Sequence, residues 1–419
     1  MRVQIRRLIA VCSAIAGALL VAPAKAGPPF YRAVGIHGLS RASAISDAGH
    51  VVGWSLLTDG PAAYPHAYLW HNGVLHDLDP EGIETRASRA YGVNSQGHVV
   101  GRFFDDGEHH LFLWLPAPAF NLPAGFNDLG ALDANRSSVA TDINERSEIV
   151  GTTGHTVFLW LPNQAFGLPS GMHDLCDDWP IDNDCPHSVN ARINHLAQVL
   201  ADEWVWLPQP AYGRPRGWWH FHQSGNNDYV FAQDLNGTGS IVATGYVFED
   251  SYFAETNLWD DQQEVICCEF GKVLGDGYGV AINEAGIMIG GLWLDGAIQQ
   301  VLVDGTFFGE NRWWTLDDRM LYRNARSSWR AVDISNTLAI VANAVDKAGS
   351  EHSIVLFPID TDVDGYGRTN LYDVSFFQFC LSGPSVNPPF LCDSCDLEED
   401  NDVDLSDFQA LQLGFEGGF

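Results

Sequence analysis

Near the C-terminus, oxygen-bearing side chains recur at the alternating positions that a hard divalent cation requires. The clearer stretch runs from Asp396 to Asp407. A twelve-residue loop supplies the roughly six to eight oxygens taken by Ca²⁺ from positions 1, 3, 5, 9 and 12, with a main-chain carbonyl from position 7. Here those positions hold Asp396, Glu398, Asp400, Asp404 and Asp407, with the carbonyl of Asp402. Asn401 stands at the sharp turn, a residue that tolerates the left-handed conformation. The same frame occurs earlier, with Asp362, Asp364, Asn370 and Asp373 as ligands, the carbonyl of Arg368 at position 7 and Gly367 at the turn. Tyr366 occupies position 5 there, so this first loop is expected to bind more weakly.

Other groups with chemical potential are scattered. Beyond Cys12 the cysteines are Cys176, Cys185, Cys267, Cys268, Cys380, Cys392 and Cys395. In an exported chain these favour disulfides. Cys176 and Cys185 can close a local loop, and Cys380 can pair with either Cys392 or Cys395. The odd number leaves one thiol over. His220-Phe221-His222 would put two imidazoles on one face of a strand, although the flanking Trp218 and Trp219 favour a structural or stacking role. A serine-nucleophile elbow, a phosphate loop and a zinc-protease helix motif are all absent.

The elements that must position these residues are of two kinds. Each acidic loop runs into a short amphipathic segment, Val374 to Leu381 and Phe408 to Leu413. Phe376, Phe377, Phe379, Phe408, Leu411 and Leu413 fall at helical spacing, which predicts small amphipathic helices. Before position 358 the pattern is different. An apolar residue, then Asn or Ser, two variable residues, usually Gly, one variable residue and a β-branched run recur seven times, with Asn or Ser at 46, 94, 144, 194, 236, 283 and 335. Asn and Gly suit a tight turn and the Val-Val or Ile-Val runs suit a strand, so each unit predicts a hairpin. Ser147, Ala197 and Leu338 replace the turn glycine, and those three turns are expected to differ locally.

A bulky apolar run follows in each unit, such as His66-Ala67-Tyr68-Leu69-Trp70 or Val157-Phe158-Leu159-Trp160, and reads as a buried strand. Three to four short strands in units of about 40–50 residues are the pattern of a propeller blade. The last unit lacks a final strand, whereas a spare strand-like run, Phe30 to Ile36, precedes the first. The expected fold is therefore all-β: a seven-bladed β-propeller over 27–358, closed by an N-terminal strand, plus a small α-helical calcium-loop domain over 359–419. An open β-solenoid is the competing arrangement.

The motif Ile-Asn-x-x-Gly-x-Val-Val-Gly, followed by His-Ala-Tyr-Leu-Trp and Asp-Leu, resembles the bacterial extracellular HAF-type repeat, over about Phe30 to Phe357. That resemblance implies an extracellular repeat protein, without a defined activity. Two calcium loops each followed by one helix resemble a dockerin module, over about Asp360 to Phe419, although Tyr366, Glu398 and Asn401 depart from its pattern. This second resemblance implies Ca²⁺-dependent folding and docking onto a cohesin-like or cell-surface protein. Leu371, Tyr372, Leu405 and Ser406 would then face the partner.

Residues 1–26 read as a secretory leader: Arg2, Arg6 and Arg7 precede an apolar stretch too short to span a bilayer, and Ala24-Lys25-Ala26 suits cleavage. Export to the extracellular space or cell surface is expected, without membrane insertion. The net charge is −31, and lysine is confined to Lys25, Lys272 and Lys347. Such a surface repels nucleic acid and anionic lipid. Two functional classes remain: a non-catalytic binding or scaffold protein attached through its calcium tail, and a secreted carbohydrate-active enzyme acting on polysaccharide. The enzyme would need convergent carboxylates, or a His/Tyr/Arg group, in the central funnel.

Overall fold

The computed structural model of the chain describes residues 29–359 except 30, 37, 57–63, 81–85, 135, 155, 180–189, 221–227, 248–249, 258–276, 295, 305–311, 320–327 and 347, and then 377–378, 380–381, 395–398 and 402–416. The expected leader lies outside these residues. No helix among the described residues is long and apolar enough to cross a membrane. Tyr31–Pro358 form one compact unit, and Ile359–Phe419 belong to a second.

All seven repeats fold as the same hairpin. In each, the N–H of the fourth turn residue donates to the carbonyl of the Asn or Ser: Gly49 to Ser46, Gly97 to Asn94, Ser147 to Asn144, Ala197 to Asn194, Gly239 to Asn236, Gly286 to Asn283 and Leu338 to Ser335. The expectation that three of these turns differ is wrong. Ser147, Ala197 and Leu338 take φ values of 60°, 60° and 65°, in the same left-handed region as Gly97 at 75°. A side chain there costs roughly 1–2 kcal/mol, but the turn's own hydrogen bonds and its neighbours hold the conformation. The glycine closing the motif has another cause: a Cβ on Gly53, Gly101 or Gly151 would run into the carbonyl oxygen of Arg41, Arg89 or Val139 on the paired strand.

The hairpins extend into antiparallel meanders. In the third repeat, for example, the order is Ser138–Ile143, Ile149–Thr153, Thr156–Leu161 and Gly171–Asp174. Seven such sheets are seen among the described residues; six have four strands and one, Asp228–Leu235 with Ser240–Val247 and Asp250–Asn257, has three. They are arranged as a propeller, and the six four-stranded sheets are its complete blades. The spare strand Tyr31–Gly35 pairs with Glu351–Pro358 at the outer edge of the last sheet, with Tyr31 opposite Pro358. Neighbouring sheets pack through apolar faces; Val157, Leu159 and Leu161 meet Ile193, Val199 and Trp206 in one buried cluster.

Polar side chains join each sheet to the next. The Oδ1 of Asn194 accepts the N–H groups of Leu196 and Gln198 in its own turn, both at 3.0 Å, while its Nδ2 donates to the carbonyl of Asn236 at 3.0 Å. Asn94, Asn144, Asn236 and Asn283 reach forward in the same way to residues 144, 194, 283 and 335. Ser335 lacks an amide, and the junction from the last repeat to the first is made instead by Asn336, whose N–H and Nδ2 donate to Asp47 at 2.7 and 2.9 Å.

Two substitutions test this frame. Asn194→Ala strands two turn N–H groups and one carbonyl, two of them buried and one partly buried, and is expected to destabilise the unit by about 2–3 kcal/mol in denaturant unfolding. Ala197→Gly relieves left-handed strain but gives up a buried methyl and loosens the unfolded chain, so the melting temperature is expected to move by the equivalent of less than about 1 kcal/mol.

Candidate metal centre

In the second unit, the helix α1 (Leu405–Glu416) begins at Asp404, whose Oδ1 accepts the N–H of Ser406 at 2.7 Å. This is the side-chain cap that a helix start needs. Leu397, Val403, Ala410 and Leu411 are buried, and Phe377 packs against Phe408 with ring centroids 5.7 Å apart. That small apolar cluster draws the acidic loop against the helix. Asp407, in the first turn, is fully buried. Its Oδ1 accepts the N–H groups of Leu397 (2.6 Å) and Glu398 (3.2 Å), and its Oδ2 accepts that of Asp404 (2.8 Å). The residue read from sequence only as the last loop ligand therefore also pins the loop to the helix.

Burial pushes the Asp407 carboxyl from 3.8 up to about 6, against the three N–H donors, and the nearby Glu398 adds to the rise. Glu398, Asp404 and Asp407 each bring a carboxylate oxygen within 4.8 Å of the others. Three ionised carboxylates this close repel unless a proton or a cation sits among them. Hard oxygen donors suit Ca²⁺, and these three supply part of the roughly six to eight oxygens it takes, so the residues present fit the ion expected from the loop spacing.

The remaining candidates distribute unevenly. Asp396 is described but adds no oxygen to that group, and Asp402 is buried. Asp400 and Asn401 lie outside the described residues, as does the entire first loop with Asp362, Asp364, Arg368, Asn370 and Asp373, together with Leu371 and Tyr372. Of the expected partner-facing residues, Leu405 is 77% exposed and Ser406 is partly buried. Cys176 and Cys380 are each in a disulfide, with partners outside the described residues. Cys395 is buried. Cys185 and Cys392 lie outside the described residues. His220 pairs with Glu203 at 3.1 Å and stacks edge-on to Trp204; Phe221 and His222 are not described.

A second charged group was not anticipated. The residue just before the apolar position of each repeat falls at a bulge in the first strand of its sheet in six repeats, as between Ala140 and Asp142. In repeat order it is Ala44, Gly92, Asp142, Arg192, Asp234, Ala281 and Asp333. Each aspartate bridges two sheets. Asp142 accepts from the N–H of Ile143 and of Ile193 (2.8 and 3.0 Å), Asp234 from those of Leu235 and Ile282 (2.9 and 3.0 Å), and Asp333 from those of Ile334 and Ile45 (both 2.9 Å).

The three carboxylates act on one another and on Arg192, although they belong to separate sheets, so the first strands gather around a common axis. Burial raises all three carboxyls, Asp234 to about 7 and Asp333 to about 6, with Arg192 pulling the other way. Burial also opposes the charge of Arg192, but the three aspartates outweigh it and keep the guanidinium protonated. A signal for this group was present in the repeat alignment: a position alternating between tiny and charged residues beside an invariably apolar one.

No protein-family model and no curated protein sequence matches this chain.

Asp407→Ala removes the acceptor of three loop N–H groups, at a cost of about 2 kcal/mol to the local fold. Amide exchange at Leu397, Glu398 and Asp404 is expected to quicken by at least tenfold, while exchange in the sheets of 31–358 stays unchanged.

Proposed function

We propose that the chain is an exported, non-catalytic binding or scaffold protein, whose repeat unit presents a partner-binding surface and whose acidic tail attaches it, in a Ca²⁺-dependent way, to a surface or multiprotein assembly. The observation that carries this reading is the convergence of Glu398, Asp404 and Asp407 at the start of a helix, in the frame expected of a calcium loop. In this reading the seven sheets are seven blades of one closed ring of HAF type, the three-stranded sheet being the fifth. The tail is a dockerin-like module, and exposed Leu405 at the head of its helix belongs to the docking surface toward a cohesin-like or cell-surface protein.

A carbohydrate-active enzyme is the second reading, and the axial carboxylates of Asp142, Asp234 and Asp333 are the groups it would use. Both oxygens of each are already engaged by main-chain N–H groups of two sheets. That engagement favours a structural role, and with it the scaffold.

Calcium titration of the full chain, followed by protease resistance of the tail and by terbium luminescence, tests the proposal. Resistance is expected to rise across the millimolar range typical of extracellular calcium modules, and Glu398→Gln with Asp404→Asn should abolish the response. Identical cleavage in chelator and in calcium would overturn it. A polysaccharide panel gives the enzyme reading its own test, with no turnover expected.

A further inference from the structure

The axial group has a charge balance that its hydrogen bonds alone do not require. Seven first strands contribute one residue each at this level: Ala44, Gly92 and Ala281 are uncharged, and Asp142, Asp234 and Asp333 face a single cation, Arg192. Behind the charged four, the paired residues of the second strands are Val150, Leu200, Val242 and Val341, all apolar and buried. Among the described residues, the largest charge effects on the three carboxyls come from these same four. Fully ionised, the group carries two excess negative charges at partly buried positions, and like charges gathered there raise one another's carboxyl pKa.

The hydrogen bonds decide what depends on that balance. Asp142 ties the third sheet to the fourth, Asp234 the fifth to the sixth, and Asp333 the last to the first. These junctions fall on either side of Arg192 and at the meeting of the chain's two ends. Arg192 Nε is buried without a hydrogen-bond partner, and the arginine's charge acts on all three carboxylates.

We propose that Asp142, Asp234, Asp333 and Arg192 form a pH-responsive clasp, in which one arginine sets the charge balance that holds successive sheets together around the axis. Asp234 and Asp333 are the groups that take up protons within the working range, because burial and mutual repulsion lift them toward neutrality. A carboxyl raised in the folded state binds its proton more tightly there than in the unfolded chain. Its contribution to stability is full below 3.8 and is lost as pH rises through about 6 for Asp333 and about 7 for Asp234. The clasp is therefore tightest in mild acid and loosens toward neutral pH.

Thermal unfolding of the full chain in chelator, measured from about pH 4 to about pH 8, tests this for the wild type, Asp234→Asn, Asp234→Ala, Arg192→Met and Arg192→Lys. The alanine variant reproduces the residue found naturally at Ala44 and Ala281, and covers the case in which the amide fails to fold. Either Asp234 variant is expected to gain melting temperature relative to the wild type as pH rises, with the loss of about one proton taken up on folding. Arg192→Lys should keep the wild-type profile, and Arg192→Met should lower stability most at high pH. Variant and wild-type profiles that run parallel across this range would overturn the proposal, whatever their absolute melting temperatures. The tail carboxyls titrate alike in every variant and cancel in the comparison.

Discussion

The repeat unit depends on one short polar side chain that serves two backbones at once. Asn194 satisfies the N–H groups of its own turn and hands its amide to the carbonyl of the next turn. Asp142 does the same with a carboxylate, between one first strand and the next. A β-hairpin of six or so residues has little independent stability, and its turn leaves polar groups that must be satisfied somewhere. Placing the satisfying atom on the neighbouring sheet makes each turn conditional on the one beside it. The apolar packing between sheets supplies most of the driving force, and the polar bridges set its register.

This coupling explains why three repeats tolerate a side chain where glycine belongs. Ser147, Ala197 and Leu338 are held in the left-handed region by a turn whose geometry is settled elsewhere. Ser147 even turns the position to use, its hydroxyl meeting Asn94 Nδ2 at 3.1 Å and His98 Nδ1 at 2.8 Å across the junction. Local propensity alone gives the opposite expectation, because it prices each turn as if it stood alone.

Much of the fold was legible because its signals are periodic. The Asn-x-x-Gly turns mark the hairpins, the apolar runs mark the central strands, and the unmatched run before the first repeat marks the strand that joins the last sheet. The gathering of Glu398, Asp404 and Asp407 was legible too, since the spacing of these carboxylates is written into twelve consecutive residues. What escaped was chemistry assembled across repeats. Nothing near Arg192 in the sequence announces that it answers carboxylates 50 residues before it and 42 and 141 residues after it. Nor does the loop spacing show that Asp407 holds three backbone N–H groups, which follows from the way the helix folds back on the loop.

The pairing of Tyr31–Gly35 with Glu351–Pro358 has a temporal consequence. Every other described strand finds its partner within its own repeat, so those pairings can form as the chain emerges. The earliest strand must wait, its edge unmatched, until nearly the whole repeat unit has been made. Contacts of such separation form slowly, and an unmatched edge invites the wrong partner meanwhile. The order of synthesis thus leaves the last sheet as the final one to be completed, and makes its outer strand the place where misassembly between copies would begin.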